Sequence, residues 1–208
     1  MSRSDIADRL AKIKSIGMFP PDIRIHELSA GGVSEYMEEW SAKGKENVAR
    51  SVKETIGGRL VEIRQDALDN NVREELEDVL ALYRAAIVSY ILQSASLTGF
   101  PVKQDFSGYV LGSLENLFDT LKVDALVVVK GSDHISTGGR KTLGFIGALA
   151  GIYFLPGNAA MDLGLIDRSG AILWYKIVVN PYNNDFREPE GAAKNTAEML
   201  SGFPGWKP

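Results

Sequence analysis

The chain predicts an α/β fold in which a mixed β-sheet packs against helices, and three observations lead there. Ala125-Leu126-Val127-Val128-Val129 is an unbroken apolar run, the pattern of a central strand covered on both faces. Met161 to Val179 reads as a C-terminal hairpin around Asp167-Arg168-Ser169-Gly170, which suits a type I turn followed by a glycine bulge. Helical stretches precede this region and one follows it, so strands alternate with helices as in an α/β sandwich. The sheet is expected to carry residues 15–19, 59–63, 125–129 and the 161–179 hairpin. Helices over 33–56, 72–97 and 188–201 are expected to pack on it.

Taken in order, residues 4–12 suit a short helix with Ile6 and Leu10 on one face. Residues 15–19 and 23–28 read as extended, separated by Pro20 and Pro21, which lack an N–H and disfavour helix in the residue before them. Ala30-Gly31-Gly32 opens the next helix, whose apolar positions Val33, Met37, Trp40, Val48, Val52 and Ile56 recur near 3.6 residues. Gly57-Gly58 stops it, and a short strand over 59–63 follows. The longest helix starts behind Asn71, with Glu74 at capping-box spacing. Its second half, 85–97, is apolar on nearly every side, which predicts deep burial. A helix over 114–121 leads into the apolar strand. In the last helix Pro189 suits the first turn and Glu188 and Glu190 complement the helix dipole, with Ala193, Ala197, Met199 and Leu200 as the packing face. Trp174, inside an apolar strand, is expected in the core.

At 208 residues, length favours a single domain, expected over 13–204 with a short N-terminal extension (1–12) and a tail (205–208). A chain of this size buries roughly 70% of its unfolded surface and needs no metal or disulfide to hold it. A formal net charge of −4 argues against nonspecific nucleic-acid binding, which needs a basic face. The absence of cysteine removes disulfides, thiol catalysis and thiolate metal sites. The first residues are polar, with no apolar export segment.

The candidate chemistry is sparse. Gly131 to Thr142 follows the apolar strand where a phosphate loop would sit. Arg140 separates Gly139 from Lys141, however, and the first glycine is too distant for the phosphate-loop pattern. A structured polar loop is the plainer expectation; as a ligand site it would use Ser132, Asp133, His134, Arg140 and Lys141. His134 beside Asp133 could be a general base with an orienting carboxylate, but sequence neighbours point apart on an extended chain. His26 is the other histidine. Two histidines this far apart are a weak metal signal, because a site normally takes three or four ligands. Glu35, Glu38 and Glu39 could supply paired carboxylates or simply a solvated face. Residues 143–155 are uncharged and hold three glycines. That is too short for a helix to cross a bilayer. It suits a buried helix or strand extension, a subunit contact through Leu143, Phe145, Ile146, Leu149, Ile152, Tyr153 and Phe154, or a membrane hairpin. No cofactor or metal is expected.

Four stretches together carry a resemblance: Gly31 to Glu35 with Glu39-Trp40-Ser41, Val128 to Asp133 leading to Gly138-Gly139-Arg140-Lys141, Leu163 to Asp167 with Gly170 to Trp174, and Glu188-Pro189-Glu190 to Gly202-Phe203-Pro204. Over roughly residues 13–204 the chain resembles bacterial envelope lipoproteins whose domain is similar to the TolB N-terminal domain and the curli-secretion lipoprotein. The resemblance implies a periplasmic α/β domain for envelope assembly or secretion. Such a domain works by contact with envelope proteins or with itself, with peripheral membrane association and no active site to carry over. It also implies an export signal and a lipidated cysteine upstream, hence outer-membrane anchoring of the precursor; without such a segment the expected compartment is the cytoplasm. The alternative function is a small-molecule or nucleotide-binding enzyme using residues 131–141.

Overall fold

The computed structural model describes residues 2–94, 105–106, 108–140, 142, 157–180 and 185–203. The protein has a mixed α/β fold built on a seven-stranded sheet. The described chain forms two compact units. One comprises residues 1–19, 58–128 and 164–175; the other comprises 20–57, 129–163 and 176–208. Strands β5 (Ala125–Ser136), β6 (Gly157–Asp167) and β7 (Ile172–Asn180) contribute residues to both.

In the first unit β1 (Ile16–Met18) lies between β4 (Leu60–Glu62) and the start of β5, parallel to both, with Ile16 level with Leu60 and Ala125. Helices α3 (Asn70–Ser94) and α4 (Glu115–Leu121) cover a core that includes Leu76, Tyr83, Tyr90, Phe118, Leu126 and Tyr175. Phe106 stacks on Tyr90 at 4.1 Å and meets Tyr175 edge-on at 6.0 Å. Gly164 is where Tyr83 closes on the strand: a Cβ there would collide with the phenol. The hairpin turn is as expected. The Gly170 N–H returns to the Asp167 carbonyl at 2.9 Å, and Gly170 takes a left-handed φ of 74°. Asp167 Oδ1 accepts the Ser169 and Ala171 N–H groups at 3.0 and 3.1 Å. Trp174 is buried, as expected. Helix α1 (Ile6–Leu10) is shorter than the predicted 4–12. Arg9 ties it to the turn through Asp167 at 2.5 Å, and the Arg3 N–H reaches the Leu173 carbonyl at 3.0 Å.

Two expectations about α3 are corrected. Its cap is Asp69, whose Oδ1 accepts the Val72 N–H at 2.9 Å; Asn71 already lies inside the helix. Its second half is not deeply buried either. Ile87 and Tyr90 face the core, but Val88 and Leu92 are 56% and 44% exposed. An apolar sequence all round therefore encodes two faces here, of which the unit buries one.

In the second unit β2 (Asp22–Leu28) runs parallel to residues 130–136 of β5 and antiparallel to β3 (Ser34–Tyr36). The predicted helix over 33–56 is thus a strand followed by α2 (Glu38–Ile56). The reason is Ala30-Gly31-Gly32, which makes a hairpin turn instead of a helix start. Ser29 and Val33 close it at 2.9 Å, and Gly32 has a left-handed φ of 82°. Helix α2 buries Ser41, Gly44, Asn47, Val48, Ser51 and Val52, a stripe of small residues that approaches Ile23 and Ile25 closely. The Ile25 N–H donates to Ser41 Oγ at 2.8 Å. Helix α5 (Pro189–Leu200) packs on α2. It buries Ala192, Asn195, Thr196, Met199 and Leu200, so the predicted Ala193 and Ala197 face outward.

Candidate functional site

The second unit gathers most of the polar side chains that sequence reading singled out. Strand β5 does not end at Val129; it continues to Ser136 because β2 pairs with it over seven positions, Asp22 with Lys130 through Leu28 with Ser136. Residues 131–136, read from sequence as a loop, are therefore strand, and their alternation sorts them. Asp133 and Ile135 are buried, while Ser132 and His134 are part-exposed. The same alternation in β2 buries Ile23 and Ile25 and leaves Arg24 and His26 more open.

Register sets His26 directly beside His134. Partners on neighbouring strands point the same way at about 4.8 Å, so the imidazoles stack, with centroids 5.0 Å apart and planes at 11°. On the other side of β2, Tyr36 is the register partner of His26 and meets it edge-on at 5.6 Å and 63°. Asp22, Arg24, His26, Tyr36 and Lys45 line a cleft of about 430 Å³, and Arg24 pairs with Asp22 at 3.3 Å. Burial, then the neighbouring His134 and Arg24, push the His26 pKa below its ordinary value, favouring neutral imidazole. Among the described residues, Nδ1 of both histidines is buried without a hydrogen-bond partner.

Asp133 is fully buried, and its Oδ2 accepts the Phe186 N–H at 3.2 Å. The segment it holds is fastened from three directions. Asn47 Nδ2 donates to the carbonyls of Phe186 and Arg187 at 3.1 and 2.8 Å. Arg187 pairs with Asp185 at 2.7 Å and lies over the Trp40 ring at 4.1 Å. Burial raises the Asp133 pKa to about 7; the Phe186 N–H opposes the rise and the Asp185 carboxylate adds to it. Oδ1 has no partner. A carboxyl sealed in this way anchors residues 185–187 and is out of reach of a solvent-borne substrate.

The structure describes four of the five predicted ligand residues and does not place those four on one face. Ser132 and His134 share a strand face and Asp133 lies on the opposite one. Arg140 sits in a helical turn whose start is capped by Thr137: Arg140 N–H donates to Thr137 Oγ1 at 3.2 Å, and Arg140 Nη1 reaches the Ser29 carbonyl at 3.4 Å. Lys141 lies outside the described residues, as do Leu143, Phe145, Ile146, Leu149, Ile152, Tyr153 and Phe154. Glu35 on β3 and Glu38 and Glu39 on the first turn of α2 are exposed and form no closed site. Among the described residues no three His, Asp or Glu side chains are grouped to hold a metal ion. Sequence reading missed the His26–His134 contact and the part of Tyr36. The available signal was the polar–apolar alternation Asp22-Ile23-Arg24-Ile25-His26. Comparison with protein-family models finds no match, and comparison with curated proteins finds none.

Proposed function

We propose that this chain is a noncatalytic contact domain of the bacterial cell envelope, working in the periplasm in assembly or secretion and held near the outer membrane in its full-length precursor. Its partners are envelope proteins or further copies of itself, and the outer stripe of α3 is the contact surface. That stripe is the observation that carries the proposal. Ala81, Ala85, Val88 and Leu92 fall at i, i+4, i+7 and i+11 and are all exposed, with Val88 at 56% and Leu92 at 44%. Leu82 adjoins it at 53%. Single exposed apolar residues are ordinary, but a row of them on one helix face marks a surface that gains by being covered. The compartment in this proposal rests on the resemblance carried by the four stretches of sequence.

A photo-crosslinking side chain at position 88 or 92 tests this in bacteria that express the protein. The expected result is a discrete adduct in the periplasmic fraction, absent when the probe replaces exposed Glu54. Adduct mass tells a second copy from another protein. No adduct at either position, or adducts confined to the cytoplasm, overturns the proposal. Residues 131–136 form strand paired with β2, which favours the contact reading over the enzyme alternative.

A further inference from the structure

We propose that His26 and His134 together form a two-imidazole site for a divalent transition-metal ion, with Cu²⁺ held more tightly than Zn²⁺. The site belongs to the second unit, whereas α3 belongs to the first. Three observations support it. Parallel pairing of β2 with β5 places the two residues at one level, and their rings stack at 5.0 Å and 11°. Among the described residues, Nδ1 of each ring is buried without a hydrogen-bond partner. Buried polar atoms nearly always find a partner, so two adjacent rings with unused nitrogens are ligands in waiting.

Imidazole nitrogen is the donor type that suits copper, nickel and zinc. Metal–nitrogen bonds of about 2.0–2.1 Å require the two donor atoms to approach more closely than the present centroid separation. The lone pairs lie in the ring planes, so two-point binding requires the rings to leave their stack by rotation about the side-chain bonds until one nitrogen of each faces the ion. The same rotation can turn Nδ1 out of the sheet. Ser132, two residues before His134 on the same face, and the phenol of Tyr36 beside His26 lie next to the position; water completes the coordination. Two protein donors leave the ion exchangeable. Arg24 and Lys45 on the neighbouring cleft weigh against a cation, and Asp22 offsets them in part. Affinity in the micromolar range follows, well short of a structural zinc site.

The test is calorimetric titration of tag-free protein with CuCl₂, ZnCl₂ and MgCl₂, alongside His26→Gln and His134→Gln. The expected result is one equivalent of Cu²⁺ bound more tightly than Zn²⁺, following the general order for nitrogen sites, and no Mg²⁺ binding. Each single variant should bind at least about tenfold more weakly, since even a residue that only supports a ligand costs about that much. The Cu²⁺ electron paramagnetic spectrum of the unaltered protein should show coupling to two nitrogens. That measurement keeps the question open to decision if a variant fails to fold. No Cu²⁺ binding at about 1 mM, a one-nitrogen spectrum, or undiminished affinity in either variant overturns the proposal.

Discussion

Asp133 and His26 sit on neighbouring strands, and each meets burial from the opposite side of its own titration. For Asp133 burial favours the neutral acid, and its folded pKa of about 7 stands above the ordinary 3.8. Between those two values the folded state holds a proton that the unfolded chain has released. Stability from this group is therefore full at the acid end and is lost as pH rises through the window, on the order of 4 kcal/mol at most. His26 has the contrary sign, since its pKa is lowered: the folded state resists protonation, and stability falls as pH drops below the ordinary histidine value. Asp133→Asn separates the two. It keeps an acceptor for the Phe186 N–H and cannot ionise. The variant should lose the decline toward neutral pH that Asp133 causes and keep the opposite, rising contribution of His26. Superimposable pH–melting curves for the two proteins would show that Asp133 does not titrate in this range.

At the scale of elements, ends and edges depart most from expectation. The α3 cap is one such end. Asp69 Oδ1 takes the Val72 N–H, so Asp69→Ala should lower stability by about 1 kcal/mol, within the range for lost N-caps. Asn71→Ala should change it by only a few tenths, as for a surface site without special contacts. Urea unfolding of the two variants checks this, and a larger loss for Asn71 would restore the cap suggested by Asn71 and Glu74. Strand β5 shows the same limit. Its apolar half, 125–129, was legible from composition because both faces of it are covered. Its polar half carries Lys130, Ser132 and His134 and reads as loop by composition. It is strand because β2 supplies a partner for its backbone from more than a hundred residues away.

At the scale of the whole molecule, the outer stripe of α3 is an apolar surface that the folded chain leaves exposed. If a second copy covers it, association must depend on concentration, and charge placed in the stripe must oppose it. Val88→Glu with Leu92→Glu should therefore shift the sedimenting species toward monomer at about 100 µM. The melting temperature measured in dilute protein should stay nearly unchanged, because both side chains already face solvent. A fall in melting temperature without a change in mass would place these residues in the fold instead of at a contact.

By itself the sequence determined what local chemistry dictates: the α/β class, the hairpin turn at Asp167–Gly170, the apolar strand at Ala125–Val129, the burial of Trp174 and the existence of five helices. Each follows from periodicity, turn residues or apolar runs within a few residues. Only the tertiary structure decided that Gly31-Gly32 turns a hairpin, that Asp133 is sealed beneath Phe186, that α3 keeps one apolar face outside, and that His26 lies on His134. These depend on which strand pairs with which and in what register. Pairing partners more than a hundred residues apart leave no mark in the local pattern, and a shift of register by one residue moves every side chain to the other face of the sheet.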